Sequence, residues 1–398
     1  MNILFLTLVG IASIEDRGIY QDLLRKFRDE GHQVTIVCPV ERRLSIATNL
    51  QQKEGVQLLQ VKTLNITKAH FFEKGIGTFA IEYQYLNAIK KYLKNHKFDL
   101  VLYSTPPITF EKVISYIKKR DGAYTYLLLK DIFPQNAVDM GMLKENGFLH
   151  KLFLKKEKKL YQVSDTIGCM SPANSNFILK NHSEIPFAKV EENPNSIQPI
   201  QLEYNKEQKE KIRIKYEIPI DKKILVYGGN LGKPQGLDFL LQTIQTCDHK
   251  NAFFLIVGDG TEFDHIQKWF TLKQPTNAKI IKSLPKSDYD LLLASCDIGL
   301  IFLHPDFLIP NFPSRLLSYL EMKMPVIAAT DKNTDIGDII ETAACGIKII
   351  TGDIEGICNA VNYLVNEADL IKYGENSWKL LNQHYKVDRS YQLIISKL

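Results

Sequence analysis

At 398 residues the chain is longer than one compact core usually accommodates, so two domains of roughly 200 residues each are expected. A composition that is 45% hydrophobic and 24% charged excludes a disordered chain or a fibrous repeat. The net charge of +5 is unevenly placed: residues 1–200 hold 27 Lys and Arg against 20 Asp and Glu (+7), and the remainder hold 23 against 25 (−2).

The chain opens on an apolar strand pattern over 2–9. Its first residues, Met1-Asn2-Ile3-Leu4-Phe5, lack the basic lead and cleavage site of a signal peptide. No apolar run approaches the ~20 residues that span a bilayer. The six cysteines (Cys38, Cys169, Cys247, Cys296, Cys345, Cys358) are scattered without a CxxC pair. They read as reduced core residues of a cytoplasmic protein.

Further strands are expected at 33–38, 57–61, 99–103, 123–128 and 165–170, with helical patterns such as Tyr20–Glu30 and Phe79–Asn95 between them. Alternation of this kind means crossover connections and a parallel sheet. The basic run Lys151–Lys159 reads either as a solvated helix face or as a surface for an anionic partner. Without interleaved aromatics on a recognisable module it does not argue for nucleic acid. The stretch 191–220 is polar, with Pro194 and Pro199, and reads as a connection.

The pattern then restarts, with strands expected at 223–228, 252–257, 278–282, 297–303, 325–329 and 347–350. Helices such as Leu237–Thr246 and Tyr289–Ala294 intervene. The expected organisation is a Rossmann-like domain over 1–195, a linker over 196–221 and a second Rossmann-like domain over 222–370. A C-terminal helical segment, 371–398, is placed so that it can cross back onto the first domain. Doubly wound domains bind ligands at the carboxyl ends of their strands.

Three segments of the second half carry chemistry. The strand Ile224–Tyr227 runs into Gly228-Gly229-Asn230-Leu231-Gly232-Lys233-Pro234-Gln235-Gly236-Leu237 and then a helix. Glycines at such a turn let backbone N–H groups approach a phosphate, and Lys233 adds charge; an ordinary turn is the alternative. Leu255–Gly260 is a buried strand ending in a tight turn. In Asn311–Glu321, Pro313 opens a helix whose first turn holds Ser314 and Arg315. A cation there opposes the helix dipole unless an anion lies between. The string Asp288-Tyr289-Asp290 reads as surface charge, and the histidines show no metal-binding spacing.

In their order, these segments resemble the donor domain of the family-4 type of GT-B glycosyltransferases, and the first half is compatible throughout. Lys130-Asp131-Ile132-Phe133-Pro134 is similar to a segment of the subgroup that makes bacterial capsule and O-antigen units. The resemblance implies an α/β fold of two facing Rossmann-like domains and a retaining transfer of a sugar. The donor would be a nucleotide sugar, with UDP and an N-acetylated amino sugar favoured. The acceptor would be a lipid-linked saccharide at the cytoplasmic membrane face, with neither metal nor cofactor, and the basic first half suits peripheral contact with an anionic surface there.

Carried over to this sequence, Gly229, Asn230 and Lys233 hold the donor diphosphate from one side. Ser314, Arg315 and the amide of Leu316 hold it from the other. Leu284 and Pro285 lie near the base, and Arg17 and Gly18 meet the acceptor. Lys233 and Arg315 stabilise the leaving diphosphate. Asp131 faces sugar and acceptor, either orienting them or acting as a base. One departure is plain: where many members carry a ribose-binding glutamate this chain has Ser318, and Glu321, one turn on, either substitutes or faces solvent. Two other readings share the architecture: a sugar-nucleotide epimerase, and a non-catalytic sugar-nucleotide-binding protein.

Overall fold

The computed structural model describes residues 1–65, 71–201, 204–247 and 249–398, with 71–79 described as helix alone. The chain divides into two units, Met1–Gln198 with Val387–Leu398, and Pro199–Lys386.

The first unit is built on strands β1 (Asn2–Leu6), β2 (Gln33–Glu41), β3 (Asn49–Lys53), β4 (Val56–Thr63), β5 (Leu100–Ser104), β6 (Tyr124–Leu128), β7 (Thr166–Cys169) and β8 (Val190–Glu192). Their order in the sheet is β3-β4-β2-β1-β5-β6-β7-β8. All neighbours are parallel except β3 and β4, a hairpin turned by Glu54 and Gly55 at positive φ. Strand β5 is buried along its whole length, as expected for a parallel strand covered on both faces. The two strands that the apolar pattern does not announce, β3 and β8, lie at the edges. The first is the polar Asn-Leu-Gln-Gln-Lys and the second is three residues long.

The second unit has six parallel strands: β9 (Lys223–Asn230), β10 (Ala252–Asp259), β11 (Ala278–Lys282), β12 (Ile298–Phe302), β13 (Val326–Thr330) and β14 (Gly346–Ile350). They lie in the order β11-β10-β9-β12-β13-β14. The sheet is thus wound outward in both directions from β9 and β12. All twelve strands read from periodicity are present, and the α/β doubly wound class holds for both units.

The unit boundaries differ from those read off the sequence. Residues 199–221 belong to the second unit instead of forming a linker. The helix Lys206–Lys215 starts at a capping box of Asn205 and Gln208. Its buried Arg213 donates to the Ser295 carbonyl and to Asp297, at 2.8 Å. Helix Leu370–His384 also stays with the second unit, where the Ser377 hydroxyl donates to the Met324 carbonyl at 2.7 Å. Only residues from Val387 on rejoin the first unit.

One pair of cysteines corrects the reading of six reduced thiols. Cys247 and Cys358 form a disulfide across 111 residues, and the other four are free and buried. The pair joins the end of helix Leu237–Thr246 to helix Ile354–Asn366. These helices pack over one core, a proximity that sequence spacing cannot express. Among the described residues no helix is long and apolar enough to cross a membrane.

The helix Val387–Ile395 completes the core of the first unit. Val387 and Ile394 are buried in it, and Tyr391 packs on Phe27 at 5.0 Å between ring centroids while its hydroxyl meets His32 Nε2 at 3.0 Å. Tyr391→Ala is expected to destabilise the first unit by roughly 3 kcal/mol. Urea unfolding followed by circular dichroism checks this; an unchanged midpoint would mean that the helix adds nothing to that core.

Candidate active site

In the second unit β9 and β12 pair over only two positions, Leu225 with Ile298 and Val226 with Gly299, and then part. Parting strands leave backbone groups without partners, which a buried chain must satisfy. Tyr319 does so. Its buried hydroxyl accepts from the Gly228 amide at 3.1 Å and lies 3.2 and 3.1 Å from the carbonyls of Val226 and Leu300. Its ring fills the place that a Cβ of Gly299 would take, 2.5 Å away.

Beside this switch point, at the carboxyl ends of β9 and β10, lies a cavity of about 570 Å³. The glycines named in the sequence shape it by close approach. A Cβ on Gly228 would meet the Tyr289 hydroxyl at 1.9 Å, and one on Gly258 would meet the Gly229 carbonyl at 2.0 Å. Gly229 itself has φ +118, which an L side chain rarely adopts.

Arg315 opens the helix Arg315–Glu321 and lines this cavity. Its guanidinium stacks over the Tyr227 ring at 4.2 Å, and Nη2 donates to Gln235 Oε1 at 2.5 Å. Its Nη1 is buried without a hydrogen-bond partner, and among the described residues no carboxylate pairs with it. An always-charged, half-buried group with one nitrogen shut off from solvent and partner is one ion short of balance. An anion entering the cavity would find this charge exposed to it.

The expected site residues separate into two groups. Gly229, Asn230, Leu284, Ser314, Arg315 and Ser318 line the cavity. Lys233, Pro285, Leu316 and Glu321 are not among its lining residues. Lys233 is exposed on a single 3-10 turn, Lys233–Gln235. Pro285 precedes helix Lys286–Ala294 as its cap residue. The Leu316 amide already donates to the Pro313 carbonyl at 3.2 Å. Glu321 is 4% exposed, and its carboxylate accepts from the Ile200 amide at 2.9 Å. It is buried outside the cavity lining, whereas Ser318 is part of that lining.

The sequence reading missed Gln235, Tyr289, Lys286 and Asp259, which also line the cavity. The string Asp288–Asp290 is surface charge only at Asp288. Tyr289 reaches the cavity, and Asp290 is 5% exposed and paired with Lys286. A tyrosine set between two aspartates was the available signal.

In the first unit, Asp131 follows β6. Its carboxylate accepts from Asn136 Nδ2 at 2.8 Å to each oxygen, and its amide donates to Thr105 Oγ1 at 3.1 Å. Burial pushes its pKa up to about 6. The adjacent Lys130 donates to the Asn193 carbonyl at 3.1 Å, and burial pulls its pKa down to about 7. Arg17 is half-buried just before helix Ile19–Asp29, and the Gly18 amide donates to Asp22 at 3.3 Å.

Residues 208–377, all within the second unit, match the family model described as glycosyl transferases group 1. The chain is 23% identical over 309 residues to the probable glycosyltransferase WbjE of Pseudomonas aeruginosa, covering 78% of this chain and 76% of that protein. It is 25% identical over 134 residues to the putative colanic acid biosynthesis glycosyl transferase WcaI of Escherichia coli K12, covering 33% of this chain and 32% of that one. Among solved structures it is similar to Anabaena HepE in complex with UDP, with TM-score 0.71 and 15% identity over 100% of this chain and 99% of that one. That likeness shows a two-domain, GT-B-like fold.

The raised pKa of Asp131 has a sign. The folded chain disfavours its ionised form relative to the unfolded chain, so above about pH 6 the carboxylate is a destabilising charge. Asp131→Asn is expected to raise stability there by about 1–3 kcal/mol, with the gain shrinking as pH falls from about 6 through about 4 and gone near about pH 3, where the carboxyl is protonated in both states. Thermal melts of both proteins at about pH 8 and about pH 4.5 test this. A gain that did not vary with pH would have another cause.

Proposed function

We propose that the protein is a glycosyltransferase that takes a sugar from a nucleoside-diphosphate donor, UDP by preference, and transfers it with retention to a lipid-linked saccharide during surface polysaccharide synthesis. The observation that carries the reading is Arg315, a cavity-lining guanidinium with a buried, unpartnered Nη1 and no carboxylate beside it. The family match, the naming of WcaI for colanic acid biosynthesis and the UDP bound in HepE support it. An N-acetylated amino sugar is part of the proposal on the capsule and O-antigen resemblance alone.

As the glycosidic bond breaks, negative charge builds on the diphosphate. Arg315 and the backbone at Gly229 and Asn230 are already in place to stabilise it, so no reorganisation is needed at that moment. A metal ion is not required in this scheme. With retention the acceptor attacks from the face the diphosphate leaves, and a phosphate oxygen takes its proton. Ser314 and Ser318 contact the donor. On the first unit Asp131, Arg17 and Gly18 serve sugar and acceptor, with Asp131 orienting them. Lys233, exposed beside the cavity, meets the donor only if its side chain swings inward.

Arg315→Ala is expected to weaken binding of the nucleoside diphosphate at least tenfold while the ligand-free protein keeps its melting temperature. A thermal-shift screen against UDP, GDP, ADP and dTDP reads both. Unchanged ligand shifts in the variant would remove Arg315 from the site, and no shift in the unaltered protein would remove the donor reading.

Membrane contact is the second part of the proposal. Around helix Phe148–Val163 of the first unit, Phe148 is 81%, Met142 63% and Leu149 45% exposed. Lys144, Lys151, Lys155, Lys158 and Lys159 are exposed on the same stretch. Apolar tips flanked by lysines suit an anionic lipid surface at the cytoplasmic face. The protein should sediment with vesicles containing an anionic lipid and be released by salt. Equal recovery with purely zwitterionic vesicles would refute the contact.

A further inference from the structure

We propose that Gln235 is a positioning residue that holds Arg315 in place without cancelling its charge. The inference rests on the donor-site reading given above and gives a specific role to the glutamine of the Gln235-Gly236 pair, to which the family resemblance of the turn assigned none.

Gln235 is 8% exposed and lines the cavity. Its place is fixed by the backbone: its amide donates to the Gly232 carbonyl at 3.0 Å, and the next residue, Gly236, turns the chain at φ +58. A side chain there is impossible, because a Cβ on Gly236 would lie 2.5 Å from the Leu303 carbonyl. Gln235 Oε1 accepts from Arg315 Nη2 at 2.5 Å and lies 3.3 Å from the Tyr227 hydroxyl, which also donates to the Asn230 carbonyl at 2.9 Å. One amide oxygen therefore ties the guanidinium to the turn that follows β9.

Tethering alone would be served as well or better by a glutamate. The two side chains have the same length and shape, and a carboxylate makes a stronger, charge-assisted bond to arginine. In an enclosed site it would also neutralise the guanidinium, so that an arriving phosphate would have to displace or share it. The amide supplies the geometry and leaves the charge. The rest of the surroundings agree: the face of the guanidinium rests on the neutral Tyr227 ring, and Nη1 has no partner. Gly229 presents bare backbone to Arg315, since even an added Cβ would stop 3.9 Å short of Cζ and Nη2. The charge is thus held in position and uncompensated beside the turn expected to meet the diphosphate.

The test compares the full chain with Gln235→Glu and Gln235→Met, titrated with UDP, GDP, ADP and dTDP and with the matching nucleosides. Gln235→Glu is expected to lose tenfold or more in affinity for the nucleoside diphosphate and nothing for the nucleoside, which carries no charge for Arg315 to meet. Its ligand-free melting temperature should stay the same or rise. Gln235→Met, with neither acceptor nor charge, should fall between it and the unaltered protein. Diphosphate and nucleoside weakening together in Gln235→Glu would make position 235 merely structural. So would a Gln235→Glu protein that fails to fold, or a Gln235→Met protein that binds more weakly than Gln235→Glu. If the unaltered protein binds a nucleoside diphosphate and Gln235→Glu binds it equally, only this proposal fails. If the unaltered protein binds none, the donor reading fails with it.

Discussion

A half-buried guanidinium with one buried nitrogen and, among the described residues, no counter-charge is the constraint around which the cavity of the second unit is arranged. Burying an unpaired charge is among the least favourable things a fold can do. Arg315 is accommodated by neutral groups alone, a phenol ring below it and an amide oxygen beside it. Those groups need their own support. The Tyr227 hydroxyl is held by the Asn230 carbonyl, and Gln235 by the turn at Gly236. The close approach of β9 and β10 exists only because Gly258 has no side chain. Remove any of these supports and the charge loses its place before it loses its exposure to the cavity.

The same supports explain why the cavity lies where it does. A doubly wound sheet parts where its strand order reverses, and the backbone groups freed there must be satisfied. Tyr319 serves them with one hydroxyl, which accepts from the Gly228 amide and shares its single proton between the Val226 and Leu300 carbonyls. It sits on the helix that begins with Arg315, so one short helix both seals the parting strands and carries the charge to their edge.

Strand periodicity made the two sheets legible because parallel strands buried on both faces must be apolar runs. Edge strands β3 and β8 escaped because nothing forces an edge to be apolar. The glycine turn and the Pro313–Arg315 segment were legible because backbone conformation and charge placement leave marks in the sequence. Glu321 was not, since i and i+3 share a helix face only loosely and the seven-residue helix turns that carboxylate to the Ile200 amide instead. Gln235 and Tyr289 went unread because a polar or aromatic side chain announces its type and not its partner. The Cys247–Cys358 pair is hidden for the same reason, its two helices being neighbours in space and 111 residues apart in sequence.

Elsewhere in the chain several charged side chains find a charged partner. Lys156 meets the buried Glu82 at 3.0 Å, Arg213 meets Asp297 at 2.8 Å, and Lys286 meets Asp290. At the carboxyl ends of the strands the pattern changes. Lys130 and Asp131 are adjacent and oppositely charged, yet each turns to a neutral partner, the Asn193 carbonyl and the Asn136 amide. Had stability been the only demand, pairing them would have relieved both burial penalties at once. Kept apart, burial shifts each toward its neutral form, the lysine down to about 7 and the aspartate up to about 6. Arg315 cannot give up its proton and so keeps its charge, but its situation is the same. At these three residues, Arg315 in one unit and Lys130 and Asp131 in the other, the groups beside the strand ends are left under-compensated, where an arriving ligand can complete them.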